Sequence, residues 1–106
     1  MLRKAFLMQV KLGKIDEYKK EHNPIWPELQ EVFKKHGINS YSIFYHNDTE
    51  QLFGYVEFED EEQFRLIAET DVCRRWWLHM KNFLVSNSDE SIKAKEEELE
   101  EIFHIQ

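Results

Sequence analysis

Residues 40–58 read SYSIFYHNDTEQLFGYVEF, and the two apolar runs inside that stretch decide the fold. Residues 40 to 46 and 52 to 58 are rich in tyrosine, phenylalanine, isoleucine and valine, which pack well on a pleated surface. Between them, His46-Asn47-Asp48-Thr49-Glu50 supplies polar, turn-forming side chains, so the segment predicts an antiparallel hairpin. With a period of two, Tyr41, Ile43 and Tyr45 fall opposite Phe44 and His46, while Leu52, Val56 and Phe58 fall opposite Phe53 and Tyr55. Both faces therefore carry large apolar groups. A sheet with one solvated face would alternate apolar and polar residues more cleanly. One face is expected to pack on helices of the same chain, and the other needs a second cover.

The flanking sequence supplies the helices and the remaining strands. Residues 3 to 10 alternate as a strand, with Phe6, Met8 and Val10 on one side and Ala5, Leu7 and Gln9 on the other. Gly13 ends it. Helical spacing then runs to Lys35, and His36-Gly37 reads as a C-terminal stop. After the hairpin, Asp60-Glu61-Glu62 places acidic charge at the start of a helix whose buried face holds Phe64, Ile67 and Ala68. Thr70 or Asp71 caps a further helical piece carrying Trp76, Trp77, Met80 and Phe83. The polar residues Ser86 to Asp89 and an acidic run lead to Ile102-Phe103-His104-Ile105, expected as a final strand. The order β-α-β-β-α-β is the split arrangement of ferredoxin-like α+β domains, an antiparallel sheet with helices on one face. A second sheet from an identical subunit is the simplest cover for the other face, so the sequence predicts a two-fold homodimer forming a dimeric α+β barrel.

Inside the first helical region, Glu21-His22-Asn23-Pro24-Ile25-Trp26-Pro27-Glu28-Leu29 breaks the pattern beside an ionisable group. Ile15, Tyr18 and His22 recur at helical spacing, and Ile25, Leu29, Val32 and Phe33 continue the stripe. Two prolines in between predict a kinked helix or two abutting helices, with carbonyl groups freed close to His22.

Bulk properties narrow the function. A chain of 106 residues is expected to be one domain, residues 1–106, burying about two-thirds of its unfolded surface. The 14 basic and 21 acidic side chains give a formal charge of -7, which disfavours nucleic acid or an anionic membrane surface as partner. A neutral or cationic small molecule fits better. Cys73 has no disulfide partner, the N-terminus lacks a long apolar run leading to a cleavage site, and no stretch approaches the ~20 apolar residues of a membrane span. A soluble, reduced, cytoplasmic protein is expected.

Tyr18 and His22, four residues apart, share a helix face and form a natural proton-handling pair. Spacing alone favours ordinary hydrogen-bonded packing residues for both. Trp76 and Trp77 are consecutive and cannot share one helix face; at most one is expected as ordinary core, while the other faces a cleft, an interface or solvent. Arg74 and Arg75 suit an anion clamp, but a solvated face suits them better. Metal binding finds no support, since His36, His46, His79 and His104 lack paired ligand spacing. Cys73 reads as a small buried hydrophobe rather than a nucleophile. Three glycines, Gly13, Gly37 and Gly54, make no phosphate loop.

Taken together, Tyr18, the stretch His22-Asn23-Pro24-Ile25-Trp26-Pro27-Glu28-Leu29, Tyr41, and Thr70-Asp71-Val72-Cys73-Arg74-Arg75-Trp76-Trp77 resemble the L-rhamnose mutarotase family. The opening Arg3-Lys4-Ala5-Phe6 with Met8-Gln9-Val10, and the closing Glu101-Ile102-Phe103-His104, extend the likeness from end to end. The resemblance implies a dimeric α+β protein that interconverts the α and β anomers of L-rhamnose without a cofactor. It implies His22 as proton donor and sugar contacts from Tyr18, Tyr41, Trp76 and Trp77. The chain departs from the pattern at 86 to 98, where Lys93, Lys95 and Glu96 to Glu98 stand in place of a shorter, more polar loop. That bears on the entrance or the dimer rim rather than on the acid. Two other readings suit the same architecture: a small dimeric α+β barrel monooxygenase and a non-catalytic sugar-binding module.

Overall fold

The computed structural model describes residues 1–106. Its elements run β1 (Leu2–Gln9), α1 (Ile15–Glu21), α2 (Pro27–Lys35), β2 (Ile38–His46), β3 (Gln51–Phe58), α3 (Glu61–Ile67), α4 (Asp71–Met80) and β4 (Glu97–Leu99). The strands form one four-stranded sheet in the order β2-β3-β1-β4, and every pairing is antiparallel. The hairpin read from residues 40–58 is present as β2 and β3. Each expected helical region divides in two, so the βαββαβ order holds with two short helices in each crossover.

Local chemistry explains both divisions. Helix α1 stops at Glu21 with His22 as its C-cap, and Pro27 opens α2, where a missing N–H costs nothing. In the second crossover, Asp60 accepts the Gln63 N–H at 2.8 Å to cap α3. Thr70 accepts the Cys73 N–H at 3.2 Å to cap α4, as short oxygen side chains do for orphan amides. The stop expected at His36-Gly37 is real: Gly37 has φ +83°, a left-handed conformation open to glycine at little cost.

Register then assigns the faces. Tyr41 pairs with Val56, Ile43 with Gly54 and Tyr45 with Leu52, while Phe6 pairs with Gly54 and Met8 with Leu52; these side chains share the face that the helices cover. Val10, Leu29, Leu52, Val56 and Phe58 form its fully buried centre. A Cβ at Gly54 would lie 2.3 Å from the Phe6 ring, so glycine is what lets that ring cross β3. Phe6 thereby meets Tyr41 edge-on, with centroids 6.1 Å apart and planes at 82°. The opposite face places Phe44, Phe53 and Leu7 in one cross-strand row, and Tyr55, Ala5 and Leu99 in the next. No helix packs on it, and Phe44 is 63% exposed.

The final strand expected over Ile102-Phe103-His104-Ile105 does not form. Strand β4 lies earlier, at Glu97–Leu99, and pairs Leu99 with Ala5. Continuing that register would set Ile102 opposite Leu2, the first residue of β1, and Phe103 opposite Met1, past its end, so the ladder has no partner strand for Phe103 to Ile105. Ile102 and Phe103 are 88% and 76% exposed. The Arg3–Glu101 ion pair, at 2.8 Å, ties this segment to β1. Apolar, β-favouring composition at 102–105 misled the sequence reading, because pairing rather than propensity decides a strand.

Candidate active site

Between the helices and the covered face of the sheet lies a cavity of about 470 Å³. Tyr18, His22, Tyr41, Trp76 and Trp77 all line it, so the structure brings together every site residue named from the sequence. They come from α1 and its cap, from β2 and from α4.

His22 sits where α1 ends, at the point where a helix leaves carbonyl groups without amide partners. Its Nδ1–H donates to the backbone carbonyl of Tyr18 at 2.9 Å. A carbonyl can only accept, so Nδ1 carries the proton and Nε2 is left for the cavity. The imidazole lies against the Tyr18 ring, with centroids 4.3 Å apart, and meets Trp76 edge-on at 5.1 Å. Burial lowers the His22 pKa below its ordinary value; the Tyr18 carbonyl and the nearby Glu21 carboxylate offset part of that effect.

The tyrosines are held as neutral phenols. Desolvation pushes the buried Tyr18 phenol well above the ordinary tyrosine range; Tyr41, 39% exposed, moves the same way with Glu96 contributing, and each phenol can donate and accept a hydrogen bond. Tyr41 is clamped between Phe6 on its edge and Phe33 stacked at 5.6 Å with planes 22° apart. Trp76 is only 7% exposed and is backed by Trp26, edge-on at 5.0 Å. Trp77 lies less deeply, with Lys93 Nζ 5.2 Å from its ring centroid. The consecutive tryptophans thus occupy different depths, as their spacing requires, yet both reach the cavity.

Other residues settle into the packing roles their spacing suggested. Arg75 pairs with Asp71 and Glu28, and Arg74 with Glu69, all partly exposed, so no anion clamp forms. Cys73 is buried, and burial pushes its thiol up to about 11, which leaves essentially no thiolate at neutral pH. Sequence reasoning missed two sets of neighbours. His79 Nε2 meets Glu21 Oε1 at 2.5 Å, joining α4 to the end of α1 beside His22. Lys93 and Glu96 line the cavity as well. Pairs so distant along the chain carry no spacing signal; the charge run around 96 reads as solvated until the fold is known.

A sequence profile described as L-rhamnose mutarotase matches residues 3–105. The chain belongs to the L-rhamnose mutarotase family. An L-rhamnose mutarotase of Opitutus terrae is 50% identical over 105 residues, covering 99% of each chain. The crystal structure of the L-rhamnose mutarotase FA22100 from Formosa agariphila superposes with a TM-score of 0.87 at 29% identity over 100% of both chains. A dimeric ferredoxin-like protein from an uncultured marine organism, at 11% identity, shares the fold with a TM-score of 0.56 over 84% of this chain and 96% of that one. Within this mutarotase family member, the histidine, the two phenols and the two indoles line one cavity.

Proposed function

We propose that this chain, a single domain over residues 1–106, interconverts the α and β anomers of L-rhamnose, with His22 as proton donor and Tyr18, Tyr41, Trp76 and Trp77 as sugar contacts. The observation that carries the reading is the fixed imidazole: Nδ1 is committed to the Tyr18 carbonyl, so Nε2 is the atom that exchanges a proton with a ligand. Ring opening needs a proton delivered to the ring oxygen while the C1–O5 bond breaks and the anomeric hydroxyl gives its own proton to water. Rotation about the C1–C2 bond of the resulting aldehyde exposes the other carbonyl face, and the reverse transfers close the ring. Only protons move, so the mechanism calls for no cofactor. A positioned acid typically contributes about 10²- to 10⁴-fold.

A lowered His22 pKa leaves a small imidazolium fraction at neutral pH but makes each imidazolium a stronger acid. Neutral phenols can orient hydroxyl groups without repelling the developing charge, and indole faces suit the apolar side of a 6-deoxy sugar. A wall built largely from rings holds an open-chain intermediate without clamping one anomer, which a mutarotase requires. The open sheet face supports a homodimer, and the net charge of -7 argues against nucleic acid or an anionic membrane as a partner. No helix is long and apolar enough to cross a membrane; a metabolic role of this kind belongs in the cytoplasm.

Proton NMR saturation transfer between the two anomeric signals of L-rhamnose tests the reading. The protein is expected to accelerate exchange, and His22→Ala to lose at least about 10²-fold of that acceleration while remaining folded. Exchange near the parent rate in His22→Ala would remove the histidine from the role. Because the donor is the imidazolium, the catalysed rate is expected to rise as pH falls below neutrality; a profile climbing with pH would make His22 a base instead.

A further inference from the structure

We propose that Glu96 is a further sugar-binding residue of this cavity, its carboxylate accepting hydrogen bonds from ring hydroxyls, and that Lys93, laid over Trp77, is the positioning residue that holds it there. The inference rests on the sugar reading above and deepens it. A monosaccharide entering the cavity gives up water at several hydroxyl groups, and each needs an acceptor inside. Among the residues that line the cavity, Glu96 is the sole carboxylate. The other acceptors there are neutral: the Tyr45 hydroxyl, whose proton goes to Glu50 at 3.3 Å, and the Asn23 amide oxygen, whose NH2 group donates to the Lys19 carbonyl at 2.9 Å. Hydrogen bonds to an ionised acceptor are roughly twice as strong as neutral ones.

The carboxylate is also placed rather than loose. Its side chain is 29% exposed, and Oε1 lies 3.2 Å from Lys93 Nζ, which leaves Oε2 and the remaining lone pairs for a ligand. Lys93 in turn sits over the Trp77 ring, a cation–π contact that limits where its ammonium can go. The backbone is tied on both sides of the residue. Lys95 N–H donates to the Val85 carbonyl at 3.0 Å, and Glu97 and Glu98 enter β4 opposite Leu7 and Phe6. The negative charge of Glu96 also contributes to raising the Tyr41 phenol, which places the carboxylate within electrostatic reach of a proposed sugar contact. The charged stretch at 86 to 98, unexplained from sequence, thus delivers one anion and its counter-cation to the rim of the site.

The test pairs binding with turnover. L-rhamnose titrations followed by indole fluorescence give affinity, and saturation transfer at several sugar concentrations gives kcat and KM. Glu96→Gln keeps the shape and removes the charge; affinity is expected to fall about tenfold with kcat close to the parent's, and Glu96→Ala should bind no better. Lys93→Met should weaken binding less, and its effect should vanish in the Lys93→Met/Glu96→Gln double variant, because the lysine acts through the carboxylate. A merely structural ion pair would lower the melting temperature and leave KM alone. Parent-like affinity in both Glu96 variants would overturn the proposal while leaving the mutarotase reading intact, and additive losses in the double variant would overturn the role of Lys93. A parent protein that leaves anomer exchange at the solvent rate would instead sink the mutarotase reading, and parent-like rhamnose affinity in Glu96→Gln would still judge Glu96 separately.

Discussion

His22 illustrates how much of a residue's chemistry depends on position within a helix. From sequence it was one of several ring side chains on an apolar stripe, next to two prolines. In the fold it becomes the C-cap of α1, where an unpaired carbonyl takes its Nδ1 proton and burial holds the imidazole toward the neutral form. The spacing to Tyr18 was legible because i and i+4 side chains stack. The tautomer was not, because it depends on which carbonyl the helix end leaves free. The lowered pKa has a stability consequence whose sign can be fixed. The unfolded chain protonates His22 near its reference value of about 6.5, whereas the folded chain resists protonation to lower pH. Between those values the unfolded state binds more protons, so this residue costs stability as pH falls, and the cost is absent at higher pH. Replacing it with a group that does not titrate removes that cost. Melting of the parent and of His22→Gln should therefore differ in slope: between roughly neutral and mildly acidic pH the parent should lose more Tm than the variant. Equal slopes would mean that His22 is as easily protonated in the fold as in the unfolded chain.

At the scale of elements, the parts governed by local chemistry were legible and the parts governed by pairing were not. Thr70 at the start of α4, Asp60 before α3 and Gly37 after α2 each supply what a helix end lacks, so the sequence marks those boundaries directly. The hairpin was likewise written in its alternation and its polar turn. Composition favours a last strand on Ile102–Ile105, but β1 offers no partners beyond Ile102, and the real strand is the acidic Glu97–Leu99. Nothing in a run of glutamates signals a strand; the neighbour imposes it. Gly54 is the converse case, a glycine in mid-strand whose reason lies across the sheet. Its missing Cβ leaves room for Phe6, and Phe6 sets one edge of Tyr41. Gly54→Ala should therefore act twice. Displacing a packed ring is expected to cost about 1–3 kcal/mol, readable in denaturant unfolding, and the shifted Phe6 should loosen Tyr41 and weaken rhamnose binding. Loss of stability with parent-like affinity would show that Phe33 alone suffices to hold Tyr41.

For the whole molecule, the sheet divides two tasks between its faces. The covered face carries the cavity and the core, and its composition is explained within one chain. The other face is not: Phe44, Phe53 and Leu7 form an uninterrupted apolar row across three strands, with Tyr55, Ala5 and Leu99 beside it. That alternation was what the hairpin sequence announced first, two apolar faces where one set of helices can cover only one. The proposed isologous pairing would bring each row against its copy, and a stable interface of this kind buries on the order of 1,600 Å² in total. A charge at the middle of such a contact would be desolvated without a partner. Phe44 is the most exposed ring on the face and, although next to Ile43 and Tyr45 along β2, lies on the opposite side of the sheet from Tyr41, Ile43 and Tyr45. If the proposed homodimer forms through this face, the parent should sediment as a dimer and Phe44→Asp as a monomer at micromolar concentration, with the far-ultraviolet circular dichroism of α1 to α4 retained. A parent that sediments as a monomer would refute the dimer outright. A parent dimer unmoved by Phe44→Asp would place the contact elsewhere, with the exposed Ile102 and Phe103 as the next surface to charge.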